Sequence, residues 1–113
     1  MTKKEIEARL PDLTSKFLAK TITPEEFIEY EELNCREMIN SCLCYGEMYN
    51  FYGHYDKHYI KTLGEERVKE LIAEQTEDFK KATVIRDVHT DSEGVSYNRV
   101  VWADEQEDAP GGL

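Results

Sequence analysis

A chain of 113 residues, 40% hydrophobic and 34% charged, has the size for one domain with a single core and not for two. Its net charge of −10 opposes direct binding to nucleic acid phosphates or anionic lipid, because the attraction that drives both is reversed in sign. No apolar run approaches the roughly 20 residues of a membrane-spanning helix, MTKKEIEARL lacks the apolar stretch of a signal peptide, and three unevenly spaced cysteines fit a reducing, cytoplasmic setting better than a disulfide framework.

The first helix starts at a Thr-x-x-Glu capping box, Thr2 with Glu5, in which each side chain satisfies a backbone N–H that the helix leaves open. Ile6, Leu10, Leu13, Phe17 and Leu18 give it an apolar face to about Lys20. Pro11 removes a backbone donor inside that span, which predicts a kink or two short helices, the second starting at Pro11. The polar connection at 20–23 is short enough to fold the next helix back as a hairpin.

A long central helix is predicted over 23–59. Thr23, Pro24 and Glu26 form a second capping box with proline at the first helical position. Cys35, Met38, Cys42, Tyr45, Tyr49 and Tyr52 then recur at spacings of three and four, a helical stripe that Phe27, Tyr30, Ile39, Leu43 and Phe51 widen. Gly53 is the natural C-cap, with a bend and continuation to Ile60 as the other open course. A third box, Thr62 with Glu65, begins another helix whose inner face is Val68, Leu71, Ile72, Gln75 and Phe79 and whose last turn holds Lys80 and Lys81.

The period changes to two at Thr83. TVIRDVHT and VSYNRVV, joined by DSEG, read as an antiparallel hairpin with Thr90 opposite Val95, Val88 opposite Tyr97 and Val84 opposite Val101, while Ile85, Val100 and Trp102 lie on the other side. The acidic tail from Asp104 ends in Pro-Gly-Gly-Leu and is expected to be disordered. The expected fold is α+β: three or four helices around a long central helix, then a C-terminal antiparallel β-hairpin, in one domain over 1–103 followed by the tail at 104–113.

Cys35, Cys42, Cys44, His54, Asp56 and His58 are metal-ligand types, but zinc sites draw on repeated close pairs, and only His54 with His58 has such spacing. Cys35 and Cys42, two turns apart on the apolar stripe, read as small core hydrophobes. A cysteine nucleophile needs an electropositive setting, whereas these sit among Glu31, Glu32, Glu37 and Glu47. No nucleophile elbow, phosphate loop or dinucleotide fingerprint occurs. The sequence therefore nominates no catalytic residue, no metal ligand set and no cofactor.

Tyr45, Tyr49, Tyr52, Tyr55 and Tyr59 read first as core with their phenol oxygens reaching the surface, and second as the centre of a protein interface. On the third helix Glu66, Glu70, Glu74 and Glu77 fall along the face opposite Val68 and Leu71, and Glu25, Glu29 and Glu32 lie in the first turns of the central helix. Such rows are ordinarily solvated faces. They also space carboxylates roughly 6 Å apart along a helix, as a phosphate backbone does.

The expected function is that of a small acidic, non-catalytic interaction protein binding a basic surface of a partner through Glu66, Glu70, Glu74, Glu77, Glu25, Glu29 and Glu32. Nucleic-acid mimics among phage and mobile-element inhibitors of restriction or CRISPR enzymes share that combination of size and acidity, an analogy of class only. The alternatives are a structural or regulatory homodimer joined through the Tyr-rich segment or the hairpin face around Trp102, and a small zinc module on His54 and His58.

Overall fold

Two of the three predicted capping boxes set helices where the sequence places them. Thr2 Oγ1 accepts from the Glu5 N–H at 3.2 Å while the Glu5 carboxylate accepts from the Thr2 N–H at 2.7 Å, opening α1 (Lys3–Leu18). Thr23 and Glu26 repeat the exchange at 3.1 and 3.0 Å, opening α2 (Pro24–Tyr45). The computed structural model describes residues 1–81 and 92–94 with their side chains and the backbone of 84–90 and 96–102; the predicted disordered tail lies outside the described residues.

Pro11 does not divide the first helix. It sits inside the continuous α1 on the exposed side, where the carbonyl of exposed Glu7, deprived of its donor, can turn to water. The helix ends in a Schellman arrangement, with Lys20 N–H on Phe17 O at 3.1 Å and Thr21 N–H on Lys16 O at 3.0 Å. Lys20 there has φ 60, a left-handed conformation without a glycine to ease it.

The central helix is shorter than its stripe implies. Gly46 takes φ 68 and closes a second Schellman motif, Gly46 N–H on Leu43 O and Glu47 N–H on Cys42 O, so α2 ends at Tyr45 and not at Gly53. A separate rod follows: α3 (Met48–Asn50), a π turn (Phe51–Tyr55) and α4 (Asp56–Leu63). The third capping box does not form. Thr62 lies within α4 and donates to the His58 carbonyl at 3.0 Å, and Gly64 separates that helix from α5 (Glu65–Lys81).

Two apolar clusters hold these pieces together. Cys35, Ile39, Cys42, Phe51, Tyr59, Val68 and Leu71 join α2, the rod and α5, with the Phe51 and Tyr59 rings stacked at 6.2 Å. Ile6, Leu13 and Leu33 join α1 to α2. Among the described residues the buried side chains all come from helices, so the body is a helical bundle of four units: α1, α2, the 48–63 rod and α5. This overturns the α+β class expected from the sequence, since a sheet layer would have to close part of the core and the helices close it among themselves.

The period-two segments after Thr83 add a two-stranded ladder of backbone, β1 (Val84–Thr90) with β2 (Ser96–Trp102), with β2 next to α2. Its register differs by one residue from the predicted one: Val84 faces Trp102, Val88 faces Asn98 and Thr90 faces Ser96. Thr90 pairs with Ser96 and not with Val95, and a shift of one residue at that end moves every pair along the ladder. The predicted side-chain faces of the strands lie outside what is described.

Candidate functional site

The α5 carboxylates share a helix face, but that face is partly turned inward by arginines from α2 and α5. Arg67 forks onto Glu32 at 2.8 and 3.1 Å and also reaches Glu70 at 3.1 Å and Glu74 at 3.5 Å. Hydrogen bonding to Glu32 raises the Arg67 pKa further above its ordinary value. Arg36, buried on α2, bonds Glu74 at 2.7 Å and Gln75 Oε1 at 2.8 Å. The bond from Arg36 holds the Glu74 carboxyl below the usual carboxylate range.

Gln75 is the hinge of this network. It is fully buried, and its amide donates to Asn40 Oδ1 at 2.8 Å and to the Met1 carbonyl at 3.0 Å. A satisfied polar group in that position fixes how α2, α5 and the N-terminal residues sit against one another. On the other side of α2, Arg9 of α1 forks onto Glu29 at 2.9 Å through both of its contacts. Lys16 bonds Glu26 at 2.6 Å, pulling that carboxyl down to about 2.

The seven predicted contact residues therefore divide. Glu29, Glu32 and Glu74 hold interhelical bonds, and Glu70 serves Arg67. Glu77 makes only a loose pair with Lys81 at 3.8 Å one turn on. Glu25 and Glu66 are exposed and, among the described residues, take no ion pair. Around Ala73, the carboxylates of Glu74, Glu77 and Asp78 rim an open hollow on α5. Two of the three are already engaged, Asp78 by the Met1 ammonium and Glu74 by Arg36, which leaves Glu77 to meet a further cation.

The cysteines and histidines offer less. Cys35 is fully buried and burial pushes its thiol up to about 12, while burial also raises Cys42, so neither is a thiolate near neutral pH. His58 Nε2 lies 2.7 Å from the buried Glu31 carboxylate, tying α4 to α2, and His54 is exposed in the π turn against the edge of Tyr55. Among the described residues no three His, Cys, Asp or Glu side chains converge as a metal site would require. No helix is long and apolar enough to cross a membrane among those residues.

The tyrosines depart most from expectation. Tyr59 is buried, but Tyr45, Tyr49, Tyr52 and Tyr55 are 47%, 69%, 55% and 40% exposed, so the core reading fails for those four. The stripe carries on in sequence past Gly46 while the chain beneath it changes direction. Arg36, Arg67, Gln75 and Asn40 were not nominated as a set by the sequence; Gln75 on an inner face was the one available signal. Compared with protein families, curated proteins and solved structures, the chain matches none.

Proposed function

We propose that the protein is a non-catalytic binding module that takes up a basic surface of another protein, in the reducing setting of the cytoplasm. The observation that supports this reading is the outer row of α5 carboxylates free of interhelical bonds, exposed Glu66 and loosely paired Glu77 with exposed Glu70 between them, next to the open hollow at Ala73. A partner lysine or arginine seated there gains charge-assisted bonds, and the −10 net charge steers such a partner in from a distance. Arg36 and Arg67 hold the inner edge of the face in place, so the array is fixed before contact and loses little entropy on binding. A nucleic-acid-binding enzyme presents the kind of basic groove this surface fits, which makes an inhibitor of such an enzyme the specific form of the proposal. Three free cysteines, two of them buried, are consistent with the compartment.

The test is capture of a partner from the native host on immobilised protein at low and at high salt. Capture should fall steeply as salt rises and should be lost in the double variant Glu66→Lys, Glu77→Lys, which touches no interhelical bond. Capture indifferent to both would leave the face as a solvated surface and remove the reading.

A further inference from the structure

Met1 belongs to the buried polar network and also reaches the acidic face. Its side chain packs against the cluster of Ile6, Leu13 and Leu33, and its carbonyl accepts from the Gln75 amide at 3.0 Å. Its ammonium donates to Gln75 Oε1 at 3.1 Å and pairs with the Asp78 carboxylate. Gln75 is fully buried and is itself fixed by Arg36 and Asn40, so the amino group is positioned from behind as well as by its charge. Asp78 is one of the three carboxylates that rim the hollow at Ala73. The ammonium also lies close enough to Glu74, a second of the three, to add to the bond from Arg36 in keeping that carboxyl below its usual range.

An ammonium beside Asp78 and Glu74 is the group that a partner's lysine would bring to the same face. A carboxylate held by one cation is less available to the next, and a fixed positive charge at the rim repels a second one. The hold is light. The amino-terminal residue and Asp78 have side chains 34% and 38% exposed, and an ion pair open to water to that degree contributes little. The contact is thus enough to occupy the face and too weak to resist displacement from it. We propose that the amino group of Met1 is an autoinhibitory contact, an internal cation on the rim of the hollow that an incoming basic partner displaces from Asp78. This regulation rests on the reading of α5 as the face that takes a basic partner, and it adds the element that limits the affinity of that face.

Two consequences separate such a contact from a purely structural anchor. Acetylation of the amino group leaves an uncharged amide, which frees Asp78 beside the loosely paired Glu77. Conversely, a bound partner cation expels the amino group from Asp78 and leaves it open to solvent and to reagents. A chain extended ahead of Met1 carries no ammonium at this place and should bind as the acetylated one does.

Octa-arginine blocked by acetylation at its own amino end has no amine to react, and it serves as the basic partner for the full chain in about 0.1 M salt, where the Debye length is about 10 Å. Acetylation at Met1 alone should tighten peptide binding about threefold, the effect of one exposed charge pair. Lys20→Gln removes an equal charge from the exposed far end of α1, roughly 24 Å along the helix, and should change binding by less than about 1.5-fold. In the natural chain treated briefly with an acetylating ester, peptide mapping by mass spectrometry should show the Met1 amine modified about threefold faster when octa-arginine is bound. Should acetylation disturb the fold, seen by circular dichroism, this reactivity of the natural chain decides. Binding that acetylation of a folded chain leaves unchanged or weakens, or an amine no more reactive with the peptide bound, would overturn the autoinhibitory contact while the binding face stands. Octa-arginine that binds neither chain would remove the binding face itself and the contact with it.

Discussion

Replacing Gln75 by leucine isolates the buried polar network from the apolar core around it. The side chain is fully buried and of similar size, so little volume is gained or lost. What disappears is the acceptor for Arg36 Nη1 at 2.8 Å and for the Met1 ammonium at 3.1 Å, and the donors to Asn40 Oδ1 at 2.8 Å and to the Met1 carbonyl at 3.0 Å. Asn40 is 4% exposed and its Nδ2 already lacks a partner, so it has no easy substitute. Arg36 keeps Glu74, whose half-exposed carboxylate can follow it.

Two buried polar groups left unpaired cost about 3 kcal/mol together, and burying leucine in place of glutamine returns about 1 kcal/mol. The net loss is about 2 kcal/mol, which for a domain of this size lowers the unfolding temperature by roughly 8 °C. Thermal and urea unfolding followed by circular dichroism read it, with Glu77→Gln on the exposed side of α5 as a control expected within about 0.5 kcal/mol of the natural chain. A double-mutant cycle with Arg36→Met should show coupling of about 1 kcal/mol, because both changes strike one network. An unfolding temperature unchanged or raised in Gln75→Leu would refute the account, and Gln75 would then be a tolerated polar group in an apolar site.

Lys20→Gly removes the side chain from a left-handed backbone position at the end of α1 and should stabilise the protein by about 0.5 to 1 kcal/mol, read in the same unfolding experiment; destabilisation would mean that the side chain has a role the conformation does not reveal. In acid, the carboxyls of Glu26, Glu29 and Glu74 are held down first by bonds from Lys16, Arg9 and Arg36 respectively. The unfolded chain then takes up protons before the folded one, so their stabilisation is present above the ordinary value of 4.5 and is lost as pH falls toward about 2. Glu26→Gln should flatten that acid limb. At the alkaline end the sign is opposite: Cys35 is raised from 9.0 to about 12 by burial, so stability falls as pH rises through that interval, and Cys35→Ser should flatten the loss.

Local signals in the sequence were legible where the decision is local. Thr2 with Glu5 and Thr23 with Glu26 start helices because a capping box is complete within four residues. The same letters at Thr62 and Glu65 do not, because Thr62 is still inside α4 and its hydroxyl bonds backward to His58. Gly46 and Gly53 could not be ranked by pattern. The three-and-four stripe passes through both, and only the left-handed turn at Gly46 reveals that Tyr45 and Tyr49 belong to different helices. The spacing of the α5 acids was readable, whereas their arginines lay elsewhere in the chain: Arg36 meets Glu74 across 38 positions and Arg67 meets Glu32 across 35.

That division changes how the surface charge is to be weighed. An acidic protein whose carboxylates all faced water would suffer self-repulsion with nothing gained in structure. Here Glu29, Glu32 and Glu74 knit three helices together through Arg9, Arg67 and Arg36, and each of those arginines is thereby committed to its own chain. These arginines and Lys16 are held against the body, while Glu25 and Glu66 stand exposed and Glu77 is only loosely paired. The bundle's internal bonding and its outward negative field therefore come from one arrangement. A substitution such as Arg67→Ala should loosen α5 on α2 and at the same time make the surface more acidic, so stability and attraction for a basic partner should move in opposite directions.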